Sequence, residues 1–211
     1  MRLRSILLSA VAAAACATLA AQAQVPGVNS TLNSVFTLAY DNSTMKPTYS
    51  ASMAGIAAPN NGGDICSLYG SATKTIKVRR VILAGFSGAL QTDPISIVKR
   101  STAAVGGTLS TVDPFAMISY DSSNAAASAK VEAYTTVPTT AGTLVGILAD
   151  VYITLAGATT AVAQGQPYVF KFGELGQPIV LRGAAQHIDV NDGGLAAITL
   201  SCTFEWTEEV P

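Results

Sequence analysis

Apolar and polar residues alternate most strictly near the C-terminal end of the chain. Ile198, Leu200, Cys202, Phe204 and Trp206 share one parity, and Thr199, Ser201, Thr203, Glu205 and Thr207 share the other. A period of two is the mark of a strand with one buried face and one wet face. Shorter β-type runs precede it at Thr75–Phe86, Ile95–Lys99, Phe115–Tyr120, Lys130–Thr135, Thr143–Leu155, Tyr168–Phe172, Pro178–Arg182 and His187–Val190, separated by turn formers. In the first of these, Ile76 and Val78 fall on one parity but Val81 and Leu83 on the other. That switch places a bulge or a bend between sheets at Arg79-Arg80. Gly146 marks a kink in the run from Thr143 to Leu155. No convincing helical period lasts longer than about two turns, and roughly eight to ten strands at this spacing predict an all-β fold, an antiparallel β-sandwich of jelly-roll type.

The first residues have a different pattern. Arg2 and Arg4 precede an apolar run from Ile6 to Ala21, and Ala21-Gln22-Ala23 is a small-x-small cleavage site, so residues 1–23 read as a signal peptide. The run is alanine-rich and shorter than the roughly 20 strongly apolar residues that a spanning helix needs. Export across an inner membrane is therefore expected, with no membrane span after cleavage. Residues 24–63 are poor in charge, rich in Asn, Ser, Thr and Ala, and interrupted by Pro26, Pro47 and Pro59. Only the run Ser34, Val35, Phe36, Thr37, Leu38, Ala39 and Tyr40 reads as a strand there. The segment is expected to be an extended polar arm, closed by the turn formers Pro59 to Gly63, with the sandwich domain over residues 64–211.

Charge narrows the partners. The chain has 12 Lys and Arg against 13 Asp and Glu; removing Arg2 and Arg4 leaves 12 − 2 = 10 bases and a net charge of 10 − 13 = −3. Phosphate contacts need a basic surface, which argues against nucleic acid as a partner. Only 12% of residues are charged, about half the usual share, so Ser, Thr, Asn and Gly must supply much of the polar surface. Two cysteines survive maturation, Cys66 and Cys202. In an oxidising compartment an even pair suggests one disulfide; the other reading is two buried free thiols that behave as small hydrophobes.

Catalytic chemistry is sparse. The single histidine, His187, excludes sites that need a histidine pair or triad. Gly85-Phe86-Ser87-Gly88-Ala89 has the spacing of a nucleophile elbow, but a strand follows where the elbow requires a helix, so it reads as a glycine-bounded turn. Asp189, Asn191 and Asp192, beside His187, gather oxygen ligands and are weak candidates for a calcium-type cation. The competing reading is a strand whose His187, Asp189 and Asn191 face solvent, followed by an Asn-Asp-Gly-Gly turn. Arg79-Arg80 and Lys99-Arg100 are the doubled bases. They read as an anion-binding patch or, more simply, as solvated strand ends or ion pairs to Glu132, Glu205 or Glu208. Asn29 and Asn42 sit in glycosylation-type triplets. No cofactor is implied.

From Ile65 onward several segments carry a likeness. They are Ile65-Cys66-Ser67-Leu68-Tyr69-Gly70-Ser71 leading into Ile76-Lys77-Val78-Arg79-Arg80, Val98-Lys99-Arg100-Ser101-Thr102-Ala103, Asn124-Ala125-Ala126-Ala127, Gly142-Thr143-Leu144-Val145-Gly146, Pro178-Ile179-Val180-Leu181-Arg182-Gly183 and Phe204-Glu205-Trp206-Thr207-Glu208-Glu209. Over these, the chain resembles a family of small virion-associated jelly-roll proteins of tailed phages and prophages. The likeness implies a structural, self-assembling subunit and no catalytic residue. An export signal departs from that family, whose subunits assemble in the cytoplasm; it points to assembly outside the cell or to a likeness of fold alone.

The leading expectation is a structural subunit, not an enzyme, that assembles with other copies of itself through its surface and N-terminal arm, in a virion or a cell-surface array. The alternative is a secreted module that binds a glycan or cell-surface polymer, with Tyr49, Tyr69, Phe86 and Tyr120 as candidate loop aromatics.

Overall fold

Twelve strands and no helix are present among the described residues, which in this computed structural model are 46–58, 62–110, 116–157, 166–174, 176–194 and 197–211. In chain order they are β1 (Thr48–Ala58), β2 (Gly63–Tyr69), β3 (Thr75–Ser87), β4 (Gln91–Arg100), β5 (Thr108–Leu109), β6 (Ile118–Ser119), β7 (Lys130–Thr136), β8 (Leu144–Gly157), β9 (Tyr168–Lys171), β10 (Ile179–Arg182), β11 (His187–Asp192) and β12 (Ile198–Glu209). All lie in one unit, Lys46–Pro211. Residues 1–23, expected to be a signal peptide, the run Ser34–Tyr40, Asn29 and Asn42 lie outside the described residues.

The strands form two antiparallel sheets. The first runs β6-β1-β12-β3, and the far edge of β3 is covered in succession by β10, β9 and the end of β8. The second runs β5-β7-β2-β11-β4-β8. β8 belongs to both: it pairs with β4 along most of its length and meets β3 in parallel only at Ala156 and Gly157.

The inward residues of both sheets make one core. β12 contributes Ile198, Leu200, Cys202, Phe204 and Trp206, all buried, as the alternation predicts. In β3 the ladder to β12 skips a residue: Glu205 pairs with Arg80 and Trp206 with Val78. Arg79 is the extra residue of a bulge, so the inward parity changes from Ile76 and Val78 to Val81 and Leu83. The second sheet supplies Ile65, Cys66, Leu68, Ile95, Ile97, Ile153, Leu155, Ile188 and Val190. Cys66 of β2 and Cys202 of β12 are joined in a disulfide across the two sheets.

Three expectations are corrected. The polar segment 24–63 is not wholly an arm, because Thr48–Ala58 is β1, paired with β12 from Thr48–Thr207 to Ala58–Ile198. Its inward side chains Tyr49, Ala51, Met53, Ile56 and Ala58 are small or isolated among Ser and Ala, so the strand has little hydrophobic signature. Strands therefore stand on both sides of the turn formers that begin at Pro59, within the unit Lys46–Pro211, and no domain boundary falls there. β2 also has no alternation to read, since Asp64 to Tyr69 are buried on both faces. Finally, β4 begins at Gln91, four residues before the expected start at Ile95. Pro94 sits within it where β11 ends, and its carbonyl accepts the Gly193 N–H at 2.8 Å.

Candidate functional sites: a buried polar network and an open apolar edge

On the outer face of the second sheet, β2, β4 and β11 set a group of polar side chains against one another. The ladder pairs His187 with both Tyr69 and Arg100, and Asp189 with Ser67. Arg100 donates from Nε to Asp64 Oδ2 at 2.8 Å and to Asp189 Oδ2 at 3.1 Å, and from Nη2 to Asp64 Oδ1 at 3.0 Å. Ser67 Oγ donates to Asp189 Oδ1 at 2.5 Å, and Asn191 Nδ2 to Asp64 Oδ1 at 2.7 Å. The His187 ring stacks on Tyr69 with centroids 4.4 Å apart, and its Nδ1 lies 3.1 Å from the Ala185 carbonyl. Its Nε2 is 3.3 Å from Asp189 Oδ2 but outside hydrogen-bond geometry, so the two are neighbours without a bond. A segment crossing above closes the group. Gly142, with φ of 91°, passes so close to Thr102 and the His187 ring that a Cβ would collide with the Thr102 carbonyl.

These contacts decide between the two readings of the His187–Asp192 segment, and neither holds in full. His187 and Asp189 do not face solvent; both are fully buried. Asp189 and Asn191 are committed to the Arg100 network, and Asp192 lies on the opposite, core side of the strand. The three candidates therefore do not converge, and no metal-binding group of His, Cys, Asp or Glu occurs among the described residues. Burial, together with the charge of Asp64, pushes the Asp189 carboxyl well above the usual range, and burial pushes His187 down. Histidine, carboxylate and hydroxyl occur together here, but Ser67 donates to the carboxylate instead of to the imidazole, and the imidazole is sealed from solvent. The arrangement ties three strands and a loop together.

The doubled bases separate. Arg80 makes a two-pronged ion pair with Glu205, at 2.9 and 2.7 Å, as expected. Lys99 instead reaches the Val180 carbonyl at 2.8 Å, and Arg100 enters the buried network. Glu132 binds Lys130 and Tyr134, and Glu208 binds the Ser128 and Ala129 amides. They are not partners of the doubled bases. Among the candidate aromatics, Tyr49 and Tyr69 are buried strand residues, whereas Phe86 and Tyr120 are exposed. Ser87 ends β3 in the expected turn, its Oγ against the Ala89 carbonyl.

The other notable feature is β8. Among the described residues its second edge meets β3 only at the last two residues, and the Tyr168 hydroxyl caps the Tyr152 carbonyl at 3.2 Å. Along the rest, Leu144, Val145, Ile147, Leu148 and Tyr152 are exposed, Ile147 at 60%. Asp150 is the only charge in the strand, and register shifts near Gly146 are its only irregularity. Proteins usually protect such an edge with Lys, Pro or a covering loop, because unpaired N–H and C=O groups beside apolar side chains recruit another strand. Sequence reasoning found β8 but not its exposure, because a run rich in Leu, Val and Ile reads as core.

No protein-family model, curated protein or solved structure matches the chain.

Proposed function

We propose that this chain is an exported structural subunit, without enzymatic activity, that assembles with copies of itself in a virion-like or cell-surface array. The observation that carries the reading is the open apolar edge of β8. An added strand would satisfy the backbone groups that no described strand pairs and cover Leu144, Ile147 and Leu148 together. The run Ser34–Tyr40 of a neighbouring copy supplies that strand, its Phe36, Leu38 and Tyr40 lying at alternate positions. Repeated exchange closes into a ring or grows into a filament, according to whether the rotation closes.

The strand order supports a jelly-roll assignment and, through it, the likeness to virion subunits. The first strand pairs with the last, the second with β11, the third with β9 and β10, and the fourth with β8. That is the order of a long hairpin rolled into two sheets, with β5, β6 and β7 inserted. A buried disulfide and the lack of any membrane-spanning helix among the described residues are compatible with export.

Light scattering and electron microscopy of the mature chain test the proposal. Large particles are expected, and both Ile147→Lys and deletion of residues 24–45 should reduce them to monomers. A mature chain that stays monomeric at high concentration overturns it. The alternative, a glycan- or polymer-binding module, would then lead. It is favoured by Tyr168, which lines a shallow cleft with Thr154, Gln166 and Pro167 and whose hydroxyl bonds the carbonyl of the exposed Tyr152.

A further inference from the structure

Two carboxyl groups and one guanidinium meet on the outer face of the second sheet, and their charges do not divide evenly. Arg100 turns two prongs on Asp64, from Nε at 2.8 Å and from Nη2 at 3.0 Å, and Asn191 Nδ2 adds a third donor at 2.7 Å. Asp189 receives the longer branch, 3.1 Å, of that same Nε–H, together with the Ser67 hydroxyl. The guanidinium charge is thus committed to Asp64, and Asp189 stands beside it as a second, fully buried carboxyl. His187, the single histidine of the chain, is its neighbour. The imidazole Nδ1 lies 3.1 Å from the Ala185 carbonyl, while Nε2 lies 3.3 Å from Asp189 Oδ2 and is buried without a hydrogen bond of its own.

We propose that Asp189 is kept as the neutral acid, with its proton turned toward His187 Nε2, and that this shared proton latches the segment 141–143 over β11. A second buried carboxylate facing one guanidinium is unfavourable, whereas a carboxyl that keeps its proton becomes a donor. With the imidazole proton on Nδ1 and given to Ala185, Nε2 is an acceptor, and a small turn of the ring brings it into line with Oδ2. One proton then serves both groups and leaves Asp64 and Arg100 as a balanced pair. The segment above depends on the same atoms. Arg100 Nη1 donates to the Gly142 carbonyl at 3.3 Å, and Gly142 passes close to the His187 ring. The Ser101 N–H donates to the Thr143 carbonyl at 2.9 Å, and the Thr143 N–H to the Thr102 hydroxyl at 2.8 Å. When the proton leaves, two carboxylates compete for one guanidinium, and its long bond to Gly142 is the contact that gives way. β8 begins at the next residue, Leu144, which pairs with Arg100, so the latch also fixes the start of the exposed strand.

The groups around the pair support this place for the proton. β2 brings Asp64, Ser67 and Tyr69, β4 brings Arg100 and β11 brings Asn191. Beyond Tyr69, β7 brings Tyr134, Glu132 and Lys130, which bond to one another. The crossing segment brings the carbonyls of Ala141 and Gly142. Burial, and after it the charge of Asp64, raises the Asp189 carboxyl well above its ordinary 3.8, and burial lowers His187 from its ordinary 6.5. Both directions put the proton on the carboxyl. A raised carboxyl gives a stabilisation that is complete in acid and lost as the pH rises through the raised value. A lowered histidine works the other way, complete above 6.5 and lost as the pH falls. Between 3.8 and 6.5 the two offset each other, and above 6.5 the carboxyl alone acts.

The test uses the chain from Gln24 onward with its disulfide intact. The ring-nitrogen resonances of its one histidine should show a neutral imidazole, protonated at Nδ1, from about pH 5 to about pH 7, below the ordinary histidine value as well as above it. Asp189→Asn copies the neutral acid, its amide donating toward Nε2 and its carbonyl accepting from Ser67, so its thermal midpoint at about pH 8 should equal or exceed the parent's. Amide exchange at Ser101 and Thr143, corrected for its intrinsic pH dependence, should accelerate in the parent by about tenfold for each pH unit once the carboxyl ionises, and not in β12. Asp189→Asn should remove that acceleration. An imidazole that carries both protons at about pH 7 overturns the proposal, as does an Asp189→Asn chain that fails to fold, melts below the parent or keeps the parent's exchange profile.

Discussion

Glu208 shows how much a single side chain at the end of a strand can organise. It continues the inward parity of Phe204 and Trp206, so its carboxylate is carried into the edge of the core. There it accepts the Ser128 N–H at 2.9 Å, the Ser128 hydroxyl at 2.6 Å, the Ala129 N–H at 3.1 Å and the Trp206 indole N–H at 3.0 Å. Four donors on one buried acceptor group anchor the segment before β7 to the last strand. Glu208→Ala would leave them without a partner, and it should cost about 2–4 kcal/mol, read as a lower urea midpoint with an unchanged slope. Its parity was legible in the sequence. Its partners were not, because they come from a loop 80 residues away.

At the scale of elements, the strand that sequence reasoning passed over carries a prediction. β1 fills the place between β12 and β6 and contributes Tyr49, Met53 and Ile56 to the core. Tyr49 stacks near Trp206 with ring centroids 6.0 Å apart. A chain beginning at Lys46 should fold with its Trp206 fluorescence and near-UV signal intact. A chain beginning at Gly62 should lose both, since it exposes a full edge of β12 and removes several buried side chains, each worth about 1.5–3 kcal/mol. Circular dichroism of the two truncations distinguishes them. It also dictates that any test of the N-terminal segment in assembly should stop its deletion at Met45 and spare β1.

Across the whole molecule, the Cys66–Cys202 bridge joins the second sheet to the first over a separation of 136 residues. Both cysteines are fully buried, so a reductant reaches the sulfurs only after the sheets part. A chain lacking residues 1–23, denatured without reduction, should show no free thiol. The folded protein should resist reductant until it unfolds, and Cys66→Ala with Cys202→Ala should lower stability by about 2–5 kcal/mol. Two titratable thiols in the unreduced chain would contradict the bridge.

The sequence by itself determined the all-β class, the change of parity at Arg79-Arg80, the inward face of β12 and the turn character of Ser87, because each follows from local periodicity or local turn chemistry. It left the two cysteines open between bridge and free thiols. It also misplaced the domain start, and it set His187 and Asp189 in solvent. Tertiary structure decided those points: the bridge needs two sheets brought face to face, the small inward residues of β1 leave little hydrophobic signature, and burial on both faces of a strand cannot be read from its alternation. β2 and β11 lie inside the second sheet, with a core on one side and a polar network under a covering loop on the other. β8 fails in the opposite direction, an apolar run that the fold leaves at an open edge. Whether a hydrophobic strand is core or interface depends on what lies beside it, and only the packed sheets supply that neighbour.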